Sequence, residues 1–333
     1  MPPPVRVFLT HSPDMRANYY GERALAELRA AAEVRLNSLG RVLTAADVIA
    51  AAKGCEIIIS DRQTPGEAVI FDNLPELCAF ERAAVDIRNI DVAAASRNGV
   101  LVTRASPGFV PAVSEWILGA MVDAARHVTH YSVAYRAGEA PPASRMGREL
   151  RGGTIGIIGY GAIGSRLAEL ALALGMRVLV HDPYKKVAPP LIQRDLPLLL
   201  TESDFVVPLA VATAETENLI DASALARMKR TAWLINASRG NLVDEAALEK
   251  ALDAKMIAGA ALDVGRAPDQ MPSPRLARRP DVIASPHIAG LTPEAIEHQA
   301  VETARQAAAL IRGEIPAGAV NADKATRLAR LKR

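Results

Sequence analysis

The stretch Gly153-Thr154-Ile155-Gly156-Ile157-Ile158-Gly159-Tyr160-Gly161-Ala162-Ile163-Gly164-Ser165-Arg166-Leu167-Ala168 decides the fold. Its first half is a short apolar run that predicts a strand, and the run from Ser165 to Ala173 predicts a helix. Between them stand three glycines in the spacing G-x-G-x-x-G. That spacing alone is a weak signal. A strand before it, a helix after it and an acid closing the next strand make it specific. Gly159 permits a tight turn, Gly161 lets a pyrophosphate approach the backbone, and Gly164 lets the helix pack close to the strand. The N–H groups of the helix N-terminus then face the phosphates, and its dipole favours their charge. The acid is Asp182, after Arg177-Val178-Leu179-Val180-His181. It is placed to accept hydrogen bonds from an adenosine ribose and to repel a 2′-phosphate. The residues Gly159, Tyr160, Gly161, Ala162, Ile163 and Gly164 with Asp182 therefore read as a site for NAD rather than NADP.

Strand and helix signals alternate along the rest of the chain, the pattern of α/β layering around a parallel sheet. Residues 5–9 predict a strand and 24–33 a helix with Leu25 and Leu28 on one face. Residues 56–60 predict a strand buried on both faces, and 100–103 another after the turn pair Asn98-Gly99. Ser106-Pro107-Gly108 breaks the pattern. A long helix over 110–131 follows, with Val113, Ile117, Ala120, Met121, Ala124 and Val128 at helical spacing. Residues 138–153 read as a loose stretch. Further strands are expected at 154–158, 177–181, 205–207, 232–236, 260–263 and 282–284, and a last helix over 293–312. The dinucleotide unit thus stands in the middle of the chain. The economical arrangement inserts a dinucleotide-binding domain, 106–290, into a discontinuous α/β domain made of 1–105 and 291–333. The active site is then expected in the cleft between them, outside the carboxyl ends of the strands.

At 333 residues, half of them apolar, the chain has material for two globular domains. A formal net charge of +2 makes no electrostatic case for nucleic acid. The positive excess sits in the tail, at Lys324, Arg327, Arg330, Lys332 and Arg333, and is expected to be a solvated or frayed terminus. The start, Met1-Pro2-Pro3-Pro4-Val5-Arg6, lacks the apolar core of a signal peptide. No apolar run approaches the ~20 residues of a membrane span. Cys55 and Cys78 give neither a disulfide framework nor a metal spacing and read as buried thiols, which suits a reducing cytoplasm.

Three strand ends downstream of the glycine loop carry polar groups: Asn236-Ala237-Ser238-Arg239-Gly240, Ala260-Ala261-Leu262-Asp263-Val264 and Ser285-Pro286-His287-Ile288-Ala289-Gly290. An arginine beside the crevice can hold a carboxylate through two parallel charge-assisted hydrogen bonds. A histidine can carry a proton near neutrality, although a lone histidine is more often structural. With these segments go Val85-Asp86-Ile87-Arg88-Asn89-Ile90-Asp91, Val113-Ser114-Glu115-Trp116, His181-Asp182-Pro183-Tyr184 and Ala214-Glu215-Thr216. Together they resemble the D-isomer-specific 2-hydroxyacid dehydrogenases from about Glu56 to Gly318. The resemblance implies a Rossmann NAD-binding domain inserted into a flavodoxin-like substrate domain, and a homodimer built largely through the cofactor domains. It implies a small 2-keto or 2-hydroxy acid as substrate. In that family an arginine binds the carboxylate and polarises the keto group, and Arg239 matches it. A histidine moves the proton, and His287 matches it. An aspartate contacts the nicotinamide carboxamide, and Asp263 matches it; Ala237 falls among the cofactor contacts.

The chain also departs from the family. A glutamate that pairs with the histidine is expected where Pro268 stands, and a bulky aromatic where Gly265 stands. Three readings follow. Asp269, one residue on, turns in and takes the glutamate's role as a third catalytic residue; or no carboxylate pairs with His287; or catalysis is lost and NAD binding remains. Formate dehydrogenases of the same superfamily have glutamine at this place, and Gln270 is offset from it. On the substrate side, Ser60-Asp61-Arg62-Gln63-Thr64-Pro65-Gly66 resembles by position the family's substrate loop. Arg62 is the candidate for an anionic group, and Arg88 a weaker one.

Overall fold

The computed structural model describes residues 3–138 and 144–331. The chain divides into two compact units, residues 1–108 with 293–333, and residues 109–292.

The discontinuous unit holds five parallel strands: β1 (Arg6–Leu9), β2 (Glu33–Leu36), β3 (Ile57–Ser60), β4 (Ala79–Arg82) and β5 (Leu101–Arg104). Their order is β2-β1-β3-β4-β5, the flavodoxin-like arrangement. Val7, Leu9, Ile57 and Ile59 pack on one face in a cluster that includes Leu25 and Leu28 of the helix Gly21–Ala31 and Ala300, Ala304 and Leu310 of the helix Pro293–Ile311. Phe8, Ile58, Phe80 and Val102 form the other face with Ile70, Phe71 and Ala94. Two of these strands have no clear sequence signal. β2, Glu-Val-Arg-Leu, is a partly exposed edge strand. β4, Ala-Phe-Glu-Arg, carries two charged side chains, yet all four residues are buried.

The tail differs from its expectation. The chain from Gly318 runs along β5: Arg104 N–H donates to the Gly318 carbonyl, Val320 N–H to Val102, and Val102 N–H to the Asn321 side chain. Arg327 donates to the carbonyls of Leu74 and Leu77, Arg330 donates to that of Pro75, and Leu331 is buried. The described part of the tail is a docked strap whose arginines cap carbonyls. Lys332 and Arg333, like Met1, Pro2 and residues 139–143 of the loose stretch, lie outside the described residues.

The central unit holds seven parallel strands: β6 (Thr154–Ile158), β7 (Arg177–His181), β8 (Ile192–Gln193), β9 (Phe205–Pro208), β10 (Trp233–Asn236), β11 (Gly259–Leu262) and β12 (Val282–Ala284). Their order is β12-β11-β10-β9-β6-β7-β8. The sheet reverses its winding at β6, whose neighbours are β7 and β9. Ligand crevices form outside the carboxyl ends of strands at such a point. The long helix expected over 110–131 is two, Val110–Arg126 and Val128–Arg136. They meet at His127, which is left-handed at φ +57°. The carboxylate of Asp123 accepts from the Thr129 main-chain N–H and hydroxyl and so caps the second helix. Hydrophobic spacing runs through this break, so periodicity alone does not reveal it. No helix among the described residues is long and apolar enough to cross a membrane.

Candidate active site

The glycine loop leaves β6 at the switch point. Gly159 is left-handed at φ +100°, and a Cβ there would fall on the backbone of Leu209 and Ala210. A Cβ on Gly164 would meet the Gly159 carbonyl, so the helix Ala162–Ala173 rests directly on the turn. Gly161 is different. It is the exposed N-cap of that helix, and a Cβ there would meet nothing within 4 Å. The turn is therefore closed on the protein side and open at the helix N-terminus, whose N–H groups suit an anion. Ala162 is the first helical residue, and Ile163 is partly buried against the core.

Asp182 lies at the end of the neighbouring strand. Its Oδ2 accepts from Tyr160 N–H at 2.7 Å, and its Oδ1 from Tyr184 N–H at 2.8 Å and Lys185 N–H at 2.9 Å. Partial burial alone would push its carboxyl up, but the three N–H groups and the Lys185 charge outweigh this and hold it below the usual range. Asp182 is thus an anion tied to the loop it accompanies.

Farther along the sheet, β10, β11 and β12 are parallel neighbours. Their carboxyl ends bring Arg239, Asp263 and His287 onto three adjacent strand ends. The Asn236 side chain closes the first loop, accepting from Ser238 N–H and donating to the Arg239 carbonyl. Arg239 is half-buried and donates to the Ser238 carbonyl at 2.7 Å, and Ala237 is buried at its root. His287 is left-handed, at φ +57°. Its Nδ1 lies 2.8 Å from the main-chain carbonyl oxygen of Asp269. A carbonyl only accepts, so Nδ1 carries the proton and Nε2 is the nitrogen left to exchange one.

A sequence profile of the D-isomer specific 2-hydroxyacid dehydrogenase NAD binding domain matches residues 118–289. A glyoxylate reductase of Korarchaeum cryptofilum is 35% identical, over 82% of this chain and 85% of that protein. The chain belongs to the D-isomer specific 2-hydroxyacid dehydrogenase family. A D-3-phosphoglycerate dehydrogenase of Synechocystis sp. is 37% identical over 74% of this chain, which spans only 45% of that protein's length. A D-isomer specific 2-hydroxyacid dehydrogenase from Lactobacillus delbrueckii ssp. bulgaricus, solved with NAD, superposes with a TM-score of 0.80 at 26% identity, covering 95% of this chain and 100% of that one.

Against the family pattern, the segment after β11 is rebuilt. Gly265 has no room for the aromatic: a Cβ would approach Glu245 Oε1, the Met271 carbonyl and Pro272 Cα at 2.6–2.8 Å. Arg266 instead turns away and donates to the Val243 and Asn241 carbonyls and to Asn218, with Glu217 at 2.8 Å. The loop closes through Gly265 N–H to the Gln270 carbonyl and Ala267 N–H to the Met271 carbonyl. Asp269 and Gln270 are both left-handed, at φ +55° and +58°. That conformation aims the Asp269 carbonyl at the ring. Asp269 meets His287 through its main-chain carbonyl. Gln270 Oε1 is buried and accepts no hydrogen bond among the described residues.

Asp263, expected at the nicotinamide carboxamide, directly follows β11. The residue is 1% exposed, and its carboxylate accepts from Ser285 Oγ and from the N–H groups of Ile288 and Ala289. Its oxygens face the protein's own turn. Ser285 had no sequence signal beyond its place before Pro286.

In the discontinuous unit, Arg62 lies on the loop after β3. Asp61 builds that loop, accepting from the Thr10 hydroxyl and from Gln63 and Thr64 N–H. Burial pushes the Asp61 carboxyl up, but the Thr10 and Thr64 hydrogen bonds win and lower it. Arg82, fully buried, donates to the carbonyls of Asp61 and Thr64 and to Asn89. Arg88 pairs with Asp86 at 2.6 Å, which accounts for its charge.

Proposed function

We propose that this protein is an NAD-dependent oxidoreductase that interconverts a small 2-keto acid and its D-2-hydroxy acid. The observation that carries the reading is the fixed His287 tautomer, with Nδ1 held by the Asp269 carbonyl, on a strand end beside those of Asp263 and Arg239. Gly159 to Gly164 would hold the pyrophosphate at the open N-cap of Gly161, and Asp182 the adenosine ribose. When bound, the nicotinamide gives or takes a hydride. Arg239 would clamp the substrate carboxylate and orient the keto carbon. His287 Nε2 would give a proton to the carbonyl oxygen during reduction and take one from the hydroxyl during oxidation. Arg62 is the candidate for a further anionic contact.

We place the protein in the cytoplasm; neither Cys55 nor Cys78 is in a disulfide. A homodimer is proposed through the central unit, where Val122, Val128, Val133 and Tyr135 leave apolar surface exposed on the helices Val110–Arg126 and Val128–Arg136.

One observation favours a second reading. The partner given to the His287 ring nitrogen is an uncharged carbonyl, and Pro268 stands in place of the glutamate. Hydride transfer from a substrate with no hydroxyl proton, as formate dehydrogenases perform it, needs no such carboxylate. An NADH-oxidation screen across 2-keto acids separates the readings. Turnover with at least one acid is expected. Tight NADH binding without turnover of any acid would sink the dehydrogenase reading.

A further inference from the structure

We infer that Asp263 and Ser285 are positioning residues for His287, clamping its turn in the left-handed conformation that aims the ring. The inference rests on His287 as the proton carrier. A residue other than glycine persists at φ +57° only where its surroundings over-determine it, and here the determinants converge on one residue. The Asp263 carbonyl accepts from His287 N–H at 2.9 Å. Its Oδ1 accepts from Ser285 Oγ at 2.6 Å and Ile288 N–H at 2.8 Å, and its Oδ2 from Ala289 N–H at 2.8 Å. Residues on both sides of His287 are thus tied to one buried carboxylate, while Ser285 N–H extends the strand ladder to the Leu262 carbonyl. The main chain of His287 is held by Asp263 and its ring by Asp269.

The chemistry of the clamp is specific to a carboxylate. Two N–H groups and a hydroxyl are donors, and only a group that accepts on both oxygens satisfies them. In Asp263→Asn one oxygen becomes an amide nitrogen and faces an N–H. A buried donor is then left unpaired, and the turn is free to relax. Ser285→Ala removes one of the three donors and leaves the carboxylate in place.

The test uses the full chain labelled with 15N-histidine, as the native protein, Asp263→Asn and Ser285→Ala. Long-range 15N–1H spectra read the His287 tautomer. NADH fluorescence reads cofactor binding. Steady-state assays read kcat and KM with an acid that the native protein reduces. The native protein should show the Nδ1–H tautomer alone. Asp263→Asn should show mixed tautomers and a kcat lower by about 100-fold, as expected when a reacting group is misplaced by about 1 Å. Ser285→Ala should move tautomer and kcat in the same direction, by about 3- to 10-fold in kcat, with NADH Kd within about threefold of native. Native tautomer and kcat in either variant overturn the inference. So does an NADH Kd that rises in Ser285→Ala as far as kcat/KM falls, which would place the effect on the cofactor and not on the turn. If Asp263→Asn does not fold, Ser285→Ala decides on the same readouts. A native protein that reduces no acid overturns the proposed activity, and the tautomer comparison still decides the positioning role.

Discussion

His287 is oriented by an uncharged partner, the main-chain carbonyl of Asp269, 2.8 Å from its Nδ1. A carboxylate at this place would set the tautomer and also stabilise the imidazolium. A carbonyl sets the tautomer and contributes only a dipole.

The conformation of Asp269 should therefore matter more than its side-chain charge. Asparagine tolerates the left-handed region, and a β-branched residue is an outlier there. Asp269→Val should lose activity by about tenfold relative to Asp269→Asn, the size of a strain of about 1–2 kcal/mol. Comparison of kcat for the two variants checks this. A larger loss in Asp269→Asn would return the role to the carboxylate.

The open N-cap predicts a separation of stability from binding. Gly161→Ala places a methyl where no protein atom stands, so its melting temperature should match the native one. NADH should bind at least about tenfold more weakly, a loss of about 1.4 kcal/mol, because the methyl occupies the approach of the pyrophosphate. Gly159→Ala should instead lose about 1–3 kcal/mol of stability, from φ +100° and the Leu209–Ala210 backbone. Thermal melts with and without NADH distinguish the two.

Much of this organisation is legible in the sequence, and the exceptions have physical reasons. The glycine loop, Asp182 and the strand ends at Arg239, Asp263 and His287 are local signals on short apolar strands, and the structure places them on those elements. β4 is hidden because Glu81 and Arg82 make a buried strand look polar. The strap on β5 is hidden because basic residues in a tail read as solvated, although Arg327 caps two carbonyls. The partner of His287 is hidden for a different reason. Main-chain acceptors have no side-chain identity, and the left-handed pair Asp269-Gln270 that aims this one is set by the loop.

Glu81 predicts a pH dependence of stability. Its side chain is fully buried, and neither oxygen accepts a hydrogen bond among the described residues. Burial pushes its carboxyl well above the ordinary range. The unfolded chain releases this proton near ~4.3, whereas the folded unit retains it. The folded state then binds more protons, so stability falls as pH rises from there until the folded value is passed. The slope from this group approaches about 1.4 kcal/mol per pH unit. The neighbouring phenol, Tyr20, is itself raised by burial. Urea unfolding from pH 5 to 8 should show the decline in the native protein and a flatter profile in Glu81→Gln. Parallel profiles would refute it.

Asn321→Ala tests the strap. The side chain accepts from Val102 N–H and donates to the Val100 carbonyl, both buried, and to the part-buried Ser96 hydroxyl. Its loss should cost about 1–3 kcal/mol through unpaired buried groups. Urea unfolding followed alongside NADH binding should show the discontinuous unit weakened. An unchanged midpoint would mean that the strap does not hold β5.

The same strap orders events during synthesis. Residues 109–292 are contiguous and can close their sheet as soon as β12 has emerged. The other unit begins first and finishes last: its five strands are made early, but β5 waits for residues 318–321 before its edge is covered. A nascent chain therefore holds an uncapped strand edge for most of its translation, and the insertion of the central unit sets how long that exposure lasts.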